Sequence, residues 1–223
     1  MAESSKRPRR LTVASSKGGV AKSTTCRNLG VIAARAGLNV ALVDTDLQRT
    51  LTRWHDRRPD NTAEITLVTA LLTDIDDIAA LDGFDVMIID TPPLVTDGVT
   101  DDDETTKLRK LRKLVSVSDF IVVPSGQQDE DLTSAESWMD FLKMCNSRYA
   151  ALLTATSRRS KSFETAKKRL VKGGYPLCPI DIPRVEDIPF SHSHGIGVTE
   201  MKRGKGAEEY EAVWSFVRGQ LGM

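Results

Sequence analysis

Four short runs of this chain are almost wholly apolar: 39–44 (Asn-Val-Ala-Leu-Val-Asp), 85–90 (Asp-Val-Met-Ile-Ile-Asp), 119–124 (Asp-Phe-Ile-Val-Val-Pro) and 149–155 (Tyr-Ala-Ala-Leu-Leu-Thr-Ala). A strand with one wet face alternates apolar and polar residues, so a short run without alternation reads as a strand covered on both sides. Weaker strand candidates lie at 10–15, 65–69 and 177–182. Helical patterns fall between them at 22–36, 50–57, 73–81, 104–117, 129–146 and 161–172, with a last one at 206–220. This alternation predicts an α/β fold: one doubly wound, mostly parallel sheet with helices on both faces. Gly37 is expected to stop the first helix, and Asp129 or Asp131 to cap a later one.

A chain of 223 residues is long enough for one sizeable core. Residues 1–9 read as a flexible basic arm and 10–223 as the single domain. Lys+Arg and Asp+Glu both number 31, so net charge points to no partner. Basic residues nevertheless gather at 6–10, 158–172 and 202–205, and acidic ones at 74–77 and 101–104; such runs are commonly just solvated faces. The pattern 104–117 sets Leu108, Leu111, Leu114 and Val115 on one face with five basic residues around the rest. An amphipathic surface helix is the plain reading, and a face for DNA or an acidic partner the sharper one. Cys26, Cys145 and Cys178 are scattered, as reduced intracellular thiols are. No apolar run approaches the ~18 residues that span a bilayer, and the expected location is the cytoplasm.

The chemistry begins at Ser15-Ser16-Lys17-Gly18-Gly19-Val20-Ala21-Lys22-Ser23-Thr24-Thr25, between a strand and a helix. Successive backbone N–H groups opening a helix converge on phosphate oxygens, and glycines let the backbone approach. Lys22 stands where such a loop carries its phosphate lysine, and Ser23 where its hydroxyl meets Mg²⁺. The ordinary GxxxxGK[ST] pattern is met only in part, since Ser16 and Ala21 hold its glycine positions. Asp44 and Asp46 end one apolar strand and Asp90 ends another. Ligands of doubly wound sheets bind at those ends, so the loop and the acids are expected to converge. Ser23, Asp44 and Asp90 suit Mg²⁺ on phosphates, leaving Asp46 to orient the attacking water. His192 and His194 have no third ligand nearby and read as loop residues.

With Lys17 five residues before Lys22, and with Asp44-Thr45-Asp46-Leu47-Gln48, Ile89-Asp90-Thr91-Pro92-Pro93 and Ile182-Pro183-Arg184 followed by His194-Gly195, the chain resembles the ParA-type ATPases, the deviant Walker A group that also includes MinD. The resemblance spans nearly the whole chain and matches the short form lacking an N-terminal helix-turn-helix domain. It implies an ATP- and Mg²⁺-dependent ATPase whose two subunits sandwich two nucleotides. Lys17 would reach the partner's nucleotide while Lys22 holds the β- and γ-phosphates of its own. The binding set would be Lys17, Gly18, Gly19, Val20, Ala21, Lys22, Ser23 and Thr24, with adenine contacts near Thr156 and Pro183. The catalytic group would be Lys17, Lys22 and Asp46.

The resemblance further implies an ATP-state homodimer on non-specific DNA, nucleoid-associated in the cytoplasm, released through a centromere-binding, ParB-like adaptor. Candidate phosphate contacts are Arg158, Arg159, Lys167, Lys168, Arg169, Lys202, Arg203, Lys205 and Arg218. Three departures qualify it. Ala21 replaces a glycine, Leu47 replaces the proline of D-x-D-P-Q, and the link 94–106 is longer than usual, as a partner-facing insertion would be. A MinD-like membrane cycle needs a basic amphipathic last helix. The tail 208–218 carries three acids and one base, and reads instead as docked core. A positioner of another cargo stays open, while a nitrogenase-like reductase or a ligase lacks its cysteine motif or carboxylate pocket.

Overall fold

A computed structural model describes residues 7–94 and 101–223, of which 101–107 are described in backbone only. The chain runs β1 (Arg9–Val13), α1 (Lys22–Arg35), β2 (Val40–Asp44), α2 (Thr50–His55), β3 (Thr66–Thr69), α3 (Ile75–Ala80) and β4 (Val86–Asp90). It continues through α4 (Asp101–Val117), β5 (Phe120–Ser125), α5 (Asp129–Met144), β6 (Tyr149–Leu153), α6 (Lys161–Lys172), α7 (Asp187–Ser193) and α8 (Ala207–Leu221). Every residue of β2, β4, β5 and β6 is buried, as their unbroken apolar sequences require.

The six strands lie in the order β3-β2-β4-β1-β5-β6, all parallel. The chain winds outward from β1 through β2 to β3, returns to β4, then crosses β1 to β5 and β6. Right-handed crossovers put the helices of the two windings on opposite faces. Side chains alternate accordingly. Leu42 and Ile88 join a core with α1, α2, α7 and α8, while Val43 and Ile89 join one with α3, α4, α5 and α6. Each fully buried Leu or Ile contributes about 1.5–3 kcal/mol relative to exposure. The last helix buries Tyr210, Val213, Trp214, Val217 and Leu221 on one stripe, against α1, β1 and β5. Its apolar face is core, as its sequence suggested.

Several boundaries differ from expectation. β1 begins at Arg9, inside the expected arm, and Arg7 ion-pairs with Asp119. Segment 177–182 forms no strand; Leu177 bridges Ala151, Cys178 N and Ile182 N donate to Ala151 O and Leu153 O, and Pro183 just beyond bridges Thr156. The residue capping α5 is Gln128, with Asp129, Glu130 and Asp131 all in the first turn, where they favour the positive end of the helix. α7 went unpredicted. In the long link after β4, residues 95–100 lie outside the described set, and the acidic stretch 101–104 is the first turn of α4.

Candidate nucleotide site

Sheet register alone brings the acids to the loop. Asp90 is the Cα partner of Val13, the last residue of β1, and also of Asp44 on β2. The loop leaving β1 therefore rises beside Asp90, with Asp44 one strand further out. Gly19 and Ala21 take φ of 77° and 67°. That left-handed region costs glycine nothing but costs an alanine about 1 kcal/mol. Lys22, the first residue of α1, is buried and curls back to donate from Nζ to Lys17 O at 2.9 Å. Burial lowers its pKa, and Asp90 and Asp46 oppose that. Ser16, in the first glycine position, donates to Ser134 O at 2.6 Å and ties the loop to α5.

The two buried acids differ. Asp44 Oδ2 accepts from Thr52 N at 2.9 Å and Thr52 Oγ1 at 2.7 Å, and its Oδ1 from Asp46 N at 3.1 Å. Neither oxygen of Asp90 has a hydrogen bond of normal geometry, although the side chain is wholly buried. Burial pushes its carboxyl up to about 7, against the pull of the neighbouring Ser23 hydroxyl and Lys22 ammonium. Two orphaned acceptors beside a serine hydroxyl fit Mg²⁺, which takes one or two protein oxygens and its remaining ligands from phosphates and water. Among the described residues no cluster of three His, Cys, Asp or Glu would hold a metal unaided. Asp46 is half-buried, and its Oδ1 accepts only Gln48 N.

Lys17 does not point away from its own subunit. Nζ lies 2.6 Å from Asp131 Oδ1 and 3.6 Å from Glu130 Oε2, and these partners raise its pKa. Gly126 makes room for that acceptor, because a Cβ there would sit 2.1 Å from Asp131 Oδ2.

Residues 11–198 match the family model described as the CobQ/CobB/MinD/ParA nucleotide binding domain. The chain belongs to that family. It is 27% identical to the maintenance of carboxysome distribution protein A of Gloeobacter kilaueensis, over 99% of this chain and 97% of that protein. It is also 27% identical to the protein ParA of Rhizobium radiobacter, over 81% of this chain and 80% of that one. The crystal structure of the Pyrococcus furiosus cell division ATPase MinD superposes with a TM-score of 0.73 at 20% identity, covering 95% of this chain and 98% of that one. The short ParA-type resemblance and the doubly wound fold are thereby borne out: this is a nucleotide-binding ATPase domain of the ParA/MinD kind.

Two cavities flank the phosphate loop of this family member. The first, about 310 Å³, is lined by Thr24, Arg27, Leu51, Pro183, Ile188 and Tyr210 among others, and is mostly apolar. The second, about 440 Å³, runs from Gly18 and Gly19 to Gln127, Asp131, Ser157 and Arg184. Pro183 lines the first of them. Thr156 does not line either cavity; its hydroxyl is turned to Asp181, and its neighbours Thr154 and Ala155 face both spaces. Arg27 and Tyr210 escaped the sequence reading. The one available signal was a charged residue amid the small and apolar positions of α1.

The basic candidates separate into groups. Arg158 pairs with Asp181 and Glu209 at 3.0 Å each, and Arg169 with Glu136 and Asp129, so both are already neutralised. Arg159, Lys167, Lys168, Lys202, Arg203, Lys205 and Arg218 are exposed. Lys167 and Lys168 belong to α6, on one face of the sheet; 202–205 precede α8, on the other. The Arg158–Glu209 contact ties Arg158 to the first turn of α8, whereas Arg218 lies about 16 Å along that helix.

Proposed function

We propose that this chain is an ATP-dependent dimerising partition ATPase. In its ATP state it binds DNA without sequence preference, and it segregates a plasmid or chromosome through a centromere-binding adaptor. The observation that carries the reading is Lys17: a second cation beside a phosphate loop whose own lysine, Lys22, already serves the bound phosphates. Among the described residues, Lys17 Nζ pairs with Asp131 and Glu130 of α5. A lysine spared by its own site is free to serve a partner's γ-phosphate, which makes dimerisation depend on the nucleotide.

Backbone N–H groups of residues 18–23 hold the phosphates, and Lys22 neutralises their β and γ oxygens. Asp46 orients a water for in-line attack on the γ-phosphorus, the bond to the β–γ bridging oxygen breaks, and ADP leaves with inorganic phosphate. Mg²⁺, held by Ser23 and Asp90 with Asp44 behind them, would spread the charge on the phosphate oxygens. Release of phosphate removes the group that Lys17 holds, and the dimer separates. The exposed Arg159, Lys202, Arg203 and Lys205 are the DNA contacts favoured; the paired Arg158 and Arg169 are the weakest candidates.

Light scattering and DNA retardation with ATP, ADP or no nucleotide test this together. Dimer and DNA complex are expected only with ATP, the DNA complex weakening steeply with salt. Equal DNA binding in all three conditions would remove the switch. So would a Lys17→Ala chain that dimerised as fully as the parent.

A second reading has its own support. The carboxysome-distribution relative aligns over nearly the full length of both chains, the ParA relative over about four-fifths. The adaptor of this reading would carry a non-DNA cargo, with the same ATP-state dimer. Identifying what the ATP dimer retains besides DNA separates the two. A MinD-like membrane cycle is less favoured, because the apolar stripe of α8 is committed to the core.

A further inference from the structure

We propose that Cys26 is a positioning residue for the metal ligand Asp90: its thiol restrains the carboxylate from the core side and keeps an oxygen open to Mg²⁺. This rests on the nucleotide and Mg²⁺ reading above and adds to it the residue that holds the ligand in place.

Cys26 follows Lys22 and Ser23 on α1 by four and three residues, so the three side chains share one face of the helix. α1 packs on β2 and β4, and Cys26 is wholly buried in the core that holds Leu42 and Ile88. Strand side chains alternate, so Asp90, two residues past Ile88, projects to this same face of the sheet, and so does Asp44, two past Leu42. The thiol therefore stands one turn below Ser23, on the side to which both carboxylates project. It interacts with Asp90, Asp44 and Lys22. The contact with Asp90 falls short of normal hydrogen-bond geometry and leaves both of its oxygens unsatisfied among the described residues. Burial, with the two aspartates beside it, pushes the thiol well above its ordinary range, so the sulfur carries its proton.

A carboxylate that ligates a metal is held by an outer partner, and loss of that partner costs metal affinity. Asp44 has Thr52 and Asp46 as such partners. Asp90 has the Ser23 hydroxyl, itself a metal ligand in this reading, and Lys22, whose Nζ donates to Lys17 O. Once Ser23 turns to the metal, Cys26 is the neighbour left to hold the carboxylate. A thiol suits that task. Sulfur is bulky and polarisable, so it fills the space beside Asp90, while S–H donates only weakly. It restrains the group without taking the oxygen that the metal needs.

Calorimetric titration of the full chain with ADP, with and without Mg²⁺, reads the metal's contribution apart from hydrolysis. Cys26→Ala removes the donor and the bulk of the sulfur. Its Mg²⁺-dependent gain in ADP affinity is expected to fall about three- to tenfold, while ADP alone binds within about twofold of the parent. Cys26→Ser keeps a donor at the same place and is expected to retain the gain within about twofold. Cys26→Val fills the space without donating; it is expected to match Cys26→Ala, and carries the test if that chain fails to fold. A residue that only packs would lower the melting temperature in Cys26→Ala and leave the Mg²⁺ gain unmoved. An unchanged gain in either the Ala or the Val chain, or a loss in Cys26→Ser equal to that in Cys26→Ala, would overturn the assignment. A parent chain whose ADP affinity ignored Mg²⁺ would overturn the metal reading itself, and this assignment with it.

Discussion

The ends of β2 and β4 set two aspartates side by side, equally buried, in the same register and opposite in use. Asp44 is spent on its own chain: three donors from Asp46 and Thr52 converge on it and shape the turn into α2. Among the described residues Asp90 accepts no hydrogen bond of normal geometry, and burial raises its carboxyl to about 7. Buried polar groups are ordinarily satisfied, so an orphaned carboxylate next to a satisfied one marks the member reserved for a ligand. Two acids grouped by sequence position as one metal pair thus divide into a scaffold and an open acceptor.

The sharpest way to break that contrast is Asp90→Asn. Loss of the charge that faces the metal is expected to reduce ATP hydrolysis at least about a hundredfold in a phosphate-release assay. The same change is expected to stabilise the nucleotide-free fold. A carboxyl raised from 3.8 to about 7 on folding favours the native state fully only below 3.8, and that contribution is lost as pH rises through 7. At pH 8 its ionisation costs on the order of 4 kcal/mol, so the Asn chain should melt higher there and lose its advantage toward pH 4. A lower melting point than the parent at pH 8 would contradict this.

Asp44→Ala is expected to do the reverse, costing about 2–4 kcal/mol in urea unfolding at neutral pH because the Thr52 and Asp46 donors lose their acceptor. A loss below about 0.5 kcal/mol would return Asp44 to the same class as Asp90. Asp131→Asn removes a solvent-screened pair that contributes little to stability. Its expected effect is on assembly: dimer formation in light scattering at roughly two- to fivefold lower ATP, with stability nearly unchanged. Smallest is Ala21→Gly. Relief of the left-handed alanine is expected to add about 0.5–1 kcal/mol, or some 2 °C by scanning calorimetry.

Much of the fold was readable because its strands are unbroken apolar runs, and Asp90 could be found because it ends one of them. The phosphate loop became readable only when its lysines and glycines were taken with the three strand-end acids, since the ordinary spacing is met in part. What failed depended on long-range pairing or on short elements. α7 has seven residues with Pro189 in its first turn, where proline is tolerated, so its sequence resembles a turn. Segment 177–182 has strand-like composition but meets β6 in scattered bonds and bridges that never build a ladder. Lys17 finds its carboxylate 114 residues away, and Arg27 clamps backbone carbonyls more than 160 residues on. Carbonyls carry no side-chain signature, so only the folded chain reveals that Arg27 is a clamp.

The contact between Lys17 and Asp131 gives the proposed assembly an unusual ledger. A subunit with an idle lysine would gain a whole charge pair on joining its partner and would be slow to let go. Here the same ammonium already has a carboxylate, so joining exchanges one anion for another and gains only their difference. Near-balanced exchange suits reversal: a small bias, from a lost phosphate or an adaptor pressing on α5, is enough to return the lysine to its resting acceptor. The resting acceptor therefore sets how easily the two subunits part.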